Sequence, residues 1–171
     1  MLAKPLAINL GECTFERISE LRLPLVNRFY SSCNYLVKCG RLDWVYSLGH
    51  SGKIIAAARL MPQESTHFLL RNLCVAPDVR NQGIASHLIS TILGELVSAN
   101  KHCYCYALPH LQHFYCSLGF KHLTPEQVPP EIAEMHFRNC ARKRGWILMG
   151  YGDVCVDGLV NDLNNDAHKQ N

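Results

Sequence analysis

Apolar and polar positions alternate along this chain in blocks that predict a mixed order of helices and strands. The strongest block runs from Ile84 to about Ala99, where Ile84, Leu88, Ile92 and Leu96 repeat every four residues. Ala85, Ile89, Leu93 and Val97 repeat one step along, so the stripe is broad enough to cover a sheet. Thr14 to about Asn34 reads as a broken helix, capped by Thr14 and interrupted at Pro24. Asp43 to Leu48, Lys53 to Met61 and His67 to Val75 read as three strands of a meander. The small apolar run Ile54-Ile55-Ala56-Ala57-Ala58 suits a strand covered on both faces. His102 to Ala107 is a strand, in which Cys103 and Cys105 share a face. Pro109 sits in the first turn of a helix bearing Leu111, Phe114, Tyr115 and Leu118, and Gly119 stands where a C-terminal cap belongs. Phe120 to Leu123 returns as a strand, Pro129-Pro130 opens a further helix, and Trp146 to Tyr151 is the last strand. The order predicts one α/β domain around a mixed sheet.

The segment between two of these elements carries the chemistry. Leu73-Cys74-Val75-Ala76-Pro77-Asp78-Val79-Arg80-Asn81-Gln82-Gly83-Ile84-Ala85 is an apolar strand, a short turn, and the start of the long helix. Arg80, Gly83 and Ala85 stand at R-x-x-G-x-A spacing. Such a loop points successive backbone N–H groups at one spot, the positive end of a helix, which suits a pyrophosphate. Gly83 and Ala85 keep side chains out of the way of a ligand. About thirty residues on stands His113-Phe114-Tyr115-Cys116-Ser117-Leu118-Gly119-Phe120.

These two segments, in this order, resemble the acyl-CoA pyrophosphate loop (Q/R-x-x-G-x-G/A) and the F-Y-x-x-L-G-F signature of the GNAT superfamily of N-acyltransferases. The resemblance runs from about Val45 to about Tyr151 and is to a bacterial-type member. It implies a mostly antiparallel mixed sheet with splayed central parallel strands and flanking helices. A single GNAT-like domain is expected over residues 1–151, and the chain turns polar over 152–171, a tail expected to be partly disordered. Acetyl-CoA is the implied cosubstrate, and the primary amine of a small molecule, with or without a carboxylate, is the implied acceptor. Acetylation of a protein or peptide, and non-catalytic acyl-CoA binding, are the alternatives. Cys74 and Val75 would meet the pantetheine arm through their main chain. Arg80, Asn81, Gln82, Gly83, Ile84 and Ala85 would hold the pyrophosphate, with Ser86 adding a hydroxyl. Tyr115 matches the tyrosine that protonates the departing sulfur, or else packs in the core beside Phe114.

The sequence departs from the family at the general base. The strand before the loop, His67-Phe68-Leu69-Leu70-Arg71-Asn72-Leu73-Cys74-Val75, has no carboxylate. His67, His110 or a water held by strand carbonyls are the candidates, unless the amine arrives neutral. On the acceptor side, Arg59 and Arg71 lie on consecutive strands. Pairing about a turn near Glu64 or Ser65 sets Arg59 opposite residue 69 or 71, so both arginines share a face. Either a structural salt bridge with Asp43 or Glu64, or a substrate carboxylate, resolves the two charges. The helical segment Arg28-Phe29-Tyr30 is expected near the same mouth, and Phe29, Tyr30 and His110 join the acceptor candidates.

Composition narrows the class further. The 171 residues are 48% hydrophobic and 18% charged, the profile of one ordinary globular domain. The net charge of +3 comes from scattered Lys and Arg, which leaves no nucleic-acid footprint. The opening residues lead into no long apolar run, so neither a secretory signal nor a membrane span is expected, and the expected location is the cytoplasm. Nine cysteines there read as free, mostly buried thiols, and no convincing ligand spacing predicts a metal. The expected partners are acetyl-CoA and an amine substrate, with a homodimer left open, and neither nucleic acid nor a membrane.

Overall fold

The computed structural model describes residues 7–63, 66–142 and 145–152. Almost all of the expected polar tail, residues 153–171, therefore lies outside the described residues. The elements in chain order are β1 (Thr14–Arg17), α1 (Leu23–Ser32), β2 (Trp44–His50), β3 (Lys53–Pro62), β4 (His67–Val75), α2 (Ile84–Ser98), β5 (His102–Ala107), α3 (Gln112–Ser117), β6 (Lys121–His122), α4 (Pro130–Ala141) and β7 (Ile147–Tyr151). They form a seven-stranded sheet in the order β1-β2-β3-β4-β5-β7-β6, with β4 and β5 parallel and every other neighbouring pair antiparallel.

Alternation along the strands sends side chains to two cores. On one face, Tyr46, Leu48, Ala56, Ala58, Leu60, Phe68 and Leu70 pack beneath α2, joined by Cys103, Cys105 and Tyr115. Ile84, Leu88, Ile89, Ile92, Leu93 and Leu96 of α2 are all buried there. Each such side chain contributes about 1.5–3 kcal/mol on leaving water, so this helix is a main anchor of the sheet. Val97, expected in the same stripe, is 55% exposed at the helix's last turn. On the opposite face, α1 covers Val45, Ala57 and Cys74 with Val26, Phe29 and Tyr30. Further along, Ile132 of α4 packs with Leu69, Tyr104 and Leu148.

The helix expected from Thr14 to Asn34 is corrected at its start. Thr14–Arg17 is an edge strand, pairing from Thr14↔Gly49 to Arg17↔Tyr46. Phe15 stacks on Tyr46 with ring centroids 5.4 Å apart, and Arg17 lies over the Trp44 ring at 3.6 Å. Those partners, some thirty residues away, outweigh a local pattern of four residues. The helix proper begins only at Leu23, with Pro24 in its first turn, where a missing N–H costs nothing. The strand expected from Phe120 to Leu123 is likewise shorter, Lys121–His122. Among the described residues the cysteines are free: Cys39, Cys74, Cys103 and Cys105 are buried, whereas Cys116 and Cys140 are exposed.

Two irregularities shape the centre of the sheet. Parallel pairing of β4 with β5 runs from His67↔His102 to Leu70↔Cys105 and then stops. Beyond that point β4 continues to Val75 against β3, and β5 continues to Ala107 against β7, so the two strands part. Within the same stretch, β3 advances from Ala57 to Arg59 while β4 goes from Cys74 back to Arg71. The extra β4 residue is a bulge, and Asn72 in it has φ 57°. Asparagine is one of the few side chains that adopts this left-handed region readily.

Candidate active site

The loop that follows β4 makes one turn of 3-10 helix at Pro77–Val79 and then enters α2. Asn81 (φ 62°) and Gly83 (φ 75°) both take left-handed backbone, which turns the chain sharply into the helix. A Cβ added at Gly83 would meet nothing nearer than Leu10 Cδ1 at 4.0 Å. The glycine is therefore required by its φ rather than by a shortage of space in the folded protein. Arg80 bends back and donates from Nε to the Val75 carbonyl at 3.0 Å, closing the loop on itself. No side chain caps α2, so the N–H groups of its first turn have no partner within the helix.

This end of α2 lines a cleft of about 610 Å³. One wall is Cys74, Val75, Arg80, Asn81, Gly83, Ile84, Ala85 and Ser86; the other is Leu108, His110, Leu111 and Phe114. Of the expected pyrophosphate residues, Gln82 alone is missing from this lining. Its Oε1 accepts the Ile8 N–H at 2.9 Å and so ties down the segment ahead of β1. Burial first, and then neighbouring Cys33, hold the Cys74 thiol well above its ordinary range. Cys74 is thus a neutral wall and not a thiolate nucleophile.

A second, smaller cavity of about 190 Å³ opens where β4 and β5 part. Leu70, Arg71 and Asn72 line it from β4, and Cys105, Tyr106 and Ala107 line it from β5. Tyr115 and Trp146 also face it. Tyr35, Leu73, Leu108 and Leu111 belong to both cavities, so the two share walls and adjoin. Tyr115 is 8% exposed, edge-on to Phe114 and Phe120 at 5.1 and 5.4 Å. Burial raises its phenol pKa far above the usual value, with smaller contributions from Cys105 and Cys103, and keeps the proton on the oxygen.

The arginines separate. Arg59 and Arg71 are directly opposite in the β3–β4 register, one of the two pairings expected from sequence. Arg59 Nε lies 2.7 Å from Asp43 Oδ2, and Asp43, its side chain 7% exposed, also accepts the Gly40 N–H at 2.6 Å. Its charge is therefore matched by protein, and it lines neither cavity. Arg71 does line the smaller cavity, with its guanidinium 5.9 Å from the Trp146 ring. Phe29 and Tyr30 are buried between α1 and the sheet and do not line it either. His110 reaches the larger cleft only, while His67 sits at the far end of β4, with its ring 5.6 Å from that of His102. Among the described residues lining the two cavities there is no Asp or Glu. No group of three or more His, Cys, Asp or Glu side chains among the described residues is placed to hold a metal ion.

Residues 42–122 match the family model described as an acetyltransferase (GNAT) domain. This part of the chain is similar to a GNAT acetyltransferase domain. Solved structures of the same fold include N-acetylglutamate synthase from Neisseria gonorrhoeae complexed with coenzyme A and N-acetyl-glutamate. It has a TM-score of 0.63 and 13% identity over 81% of this chain. The chain spans only about a third of that synthase, 34% of its length. Escherichia coli ElaA matches with a TM-score of 0.58 and 19% identity, over 82% of this chain and 99% of its own. A ribosomal-protein alanine N-acetyltransferase from Escherichia coli matches with a TM-score of 0.60 and 17% identity, over 86% and 97%. No curated protein sequence matches the chain. The parting of β4 and β5 is the splay that the sequence resemblance implied.

Sequence reasoning missed Tyr35, Tyr106 and Trp146 in the lining, and the left-handed Asn72. An asparagine within a largely apolar strand is a bulge signal that was available. Nothing local marks Tyr35, which lies in an irregular stretch after α1.

Proposed function

We propose that this GNAT-like domain transfers an acetyl group from acetyl-CoA to the primary amine of a small, carboxylate-bearing molecule. The observation that carries the reading is the adjacency of the two cavities, which share Tyr35, Leu73, Leu108 and Leu111 as walls. A ligand anchored at the open N-terminus of α2 can run past Leu73 and end beside Tyr115. The pyrophosphate would rest on the N–H groups from Arg80 to Ser86, and the pantetheine arm along Leu73 to Val75.

In the smaller cavity the amine nitrogen attacks the thioester carbonyl, and the carbon–sulfur bond breaks as the tetrahedral intermediate collapses. The Leu73 N–H, on the wall shared by both cavities, would stabilise the oxyanion. Tyr115 gives its proton to the departing sulfur, so coenzyme A leaves as the thiol, and the phenolate then regains a proton from solvent. With no carboxylate among the described lining residues, the amine enters as its free base and releases its proton to solvent. Its carboxylate would lie against Arg71, whose planar fork suits that group, while Tyr35, Tyr106 and Trp146 bound the remainder. The cavity's 190 Å³ suits a small acceptor, since a void of about 150 Å³ accepts a benzene ring. The gonococcal synthase, seen with coenzyme A and a carboxylate-bearing amide, supports this class.

The test is a panel of amines incubated with acetyl-CoA, reading released thiol. Turnover concentrated among amines with a nearby carboxylate is expected. A panel in which only cationic polyamines or aminoglycoside-like amines react would refute the acceptor class. Tight acetyl-CoA binding with no turnover on any amine, peptides included, would leave a binding module instead of an enzyme.

A further inference from the structure

We infer that Tyr30 is a positioning residue for acyl transfer, its hydroxyl holding the Asn72 carbonyl so that the Leu73 N–H is aimed at the thioester. The inference rests on the acetyl-transfer reading above and adds a residue that touches neither cavity. Tyr30 is 0% exposed, and its hydroxyl donates to the Asn72 carbonyl oxygen at 2.8 Å, across 42 residues of sequence. That carbonyl belongs to the residue at φ 57°, at the register slip between β3 and β4. The peptide between Asn72 and Leu73 is planar and trans, so its N–H points opposite to its C=O. Fixing the carbonyl toward α1 fixes the N–H of Leu73 away from α1. Leu73 lies on the shared wall of both cavities.

Tyr30 has a second hold on the site. Its own carbonyl accepts the Tyr35 N–H at 2.9 Å, and the two rings lie 5.7 Å apart. Tyr35, like Leu73, lines both cavities. One buried side chain on α1 therefore connects the bulge to the wall opposite it. Packing alone does not account for the hydroxyl, because phenylalanine would fill the same space between α1 and the sheet. Burial also raises the Tyr30 pKa far above the usual phenol value, so the group remains a donor at any pH where the chain folds.

The test uses acetyl-CoA carrying carbon-13 at the thioester carbonyl, bound to the intact chain without an acceptor and read by infrared difference spectroscopy. In the native protein the carbonyl band is expected at lower frequency than in Tyr30→Phe, where the donor is no longer aimed. With an amine that reacts, kcat of Tyr30→Phe should fall about 10–100-fold, the scale of a misplaced reacting group. KM for acetyl-CoA should change less than about threefold, because the pyrophosphate loop is a separate segment. Asn72→Val, whose β-branched side chain rejects positive φ, should raise the band in the same way with Tyr30 intact. It decides the matter if Tyr30→Phe does not fold. Bands that coincide in native protein and variants, or kcat unchanged, would overturn the inference and leave acetyl transfer standing. Failure of the native protein to bind acetyl-CoA would overturn both.

Discussion

Gly83 offers a graded test of how the helix N-terminus is built, because its backbone angle and its surroundings make opposite demands. Its φ of 75° is left-handed, yet an added Cβ would find only Leu10 Cδ1 at 4.0 Å. A substitution therefore acts through backbone strain and not through a clash inside the protein. An ordinary L-residue in this region costs about 1–2 kcal/mol, asparagine less, and a β-branched residue more. If the chain keeps its angle, Gly83→Ala loses that much stability, about 2–4 °C in Tm per kcal/mol for a chain of this size. If the chain relaxes, the first N–H groups of α2 turn from the cleft, and each hydrogen bond to a charged phosphate is worth about 1.5–3 kcal/mol. Loss of one such bond raises Kd about 10–100-fold. Calorimetric titration with coenzyme A, paired with thermal unfolding, should rank the variants Gly83→Asn, Gly83→Ala, Gly83→Val from mildest to most severe. Native affinity in a folded Gly83→Val, or equal losses in the asparagine and valine variants, would refute the argument from φ.

Tyr115→Phe should lower turnover about 10²–10⁴-fold and leave coenzyme A affinity by calorimetry unchanged; native turnover would make Tyr115 a cavity wall only. Because burial raises the Tyr115 pKa, the neutral donor persists to higher pH than a free phenol, so its titration should add no falling limb to kcat below about pH 10. Arg71→Glu should raise KM for an anionic amine by the equivalent of about 2–5 kcal/mol and shift preference toward cationic amines, while KM for acetyl-CoA holds; equal changes in both would exclude Arg71 from the acceptor side. Asp43→Ala should destabilise the fold by about 3 kcal/mol in denaturant unfolding, since it strands Arg59, whereas Asp43→Ala with Arg59→Met should cost less than the sum of the single changes; additive losses would show the pair is uncoupled.

Much of this architecture is legible in local pattern. The period-four repeats of α2, the strands from Lys53 and from His67, and the R-x-x-G-x-A loop are each read within a window of some ten residues. Burial on one face of one element imprints that element's own period on its own residues. Even the shared face of Arg59 and Arg71 follows, because a short connection between antiparallel strands limits the registers available, and the structure selects the one that sets them directly opposite.

Tertiary structure decided the rest, wherever a residue's state depends on a distant partner. Thr14–Arg17 is a strand because β2 offers an edge and Tyr46 a ring to stack on, although its own four residues follow a polar start that also suits a helix. Arg59 found Asp43, one of two acidic candidates, because β2 brings that loop alongside β3. Arg71, on the same face, instead reached the cavity left by the parting of β4 from β5. Asn72 is left-handed because two ladders of unequal length must meet, and Tyr30 lies beneath it because α1 crosses the same face. Apart from β1, the sequence by itself determined which segments are elements, and it marked the loop where a pyrophosphate is expected. Which side chains surround the reacting atoms was decided by register, bulge and crossover, since each is a relation between segments that no local period encodes.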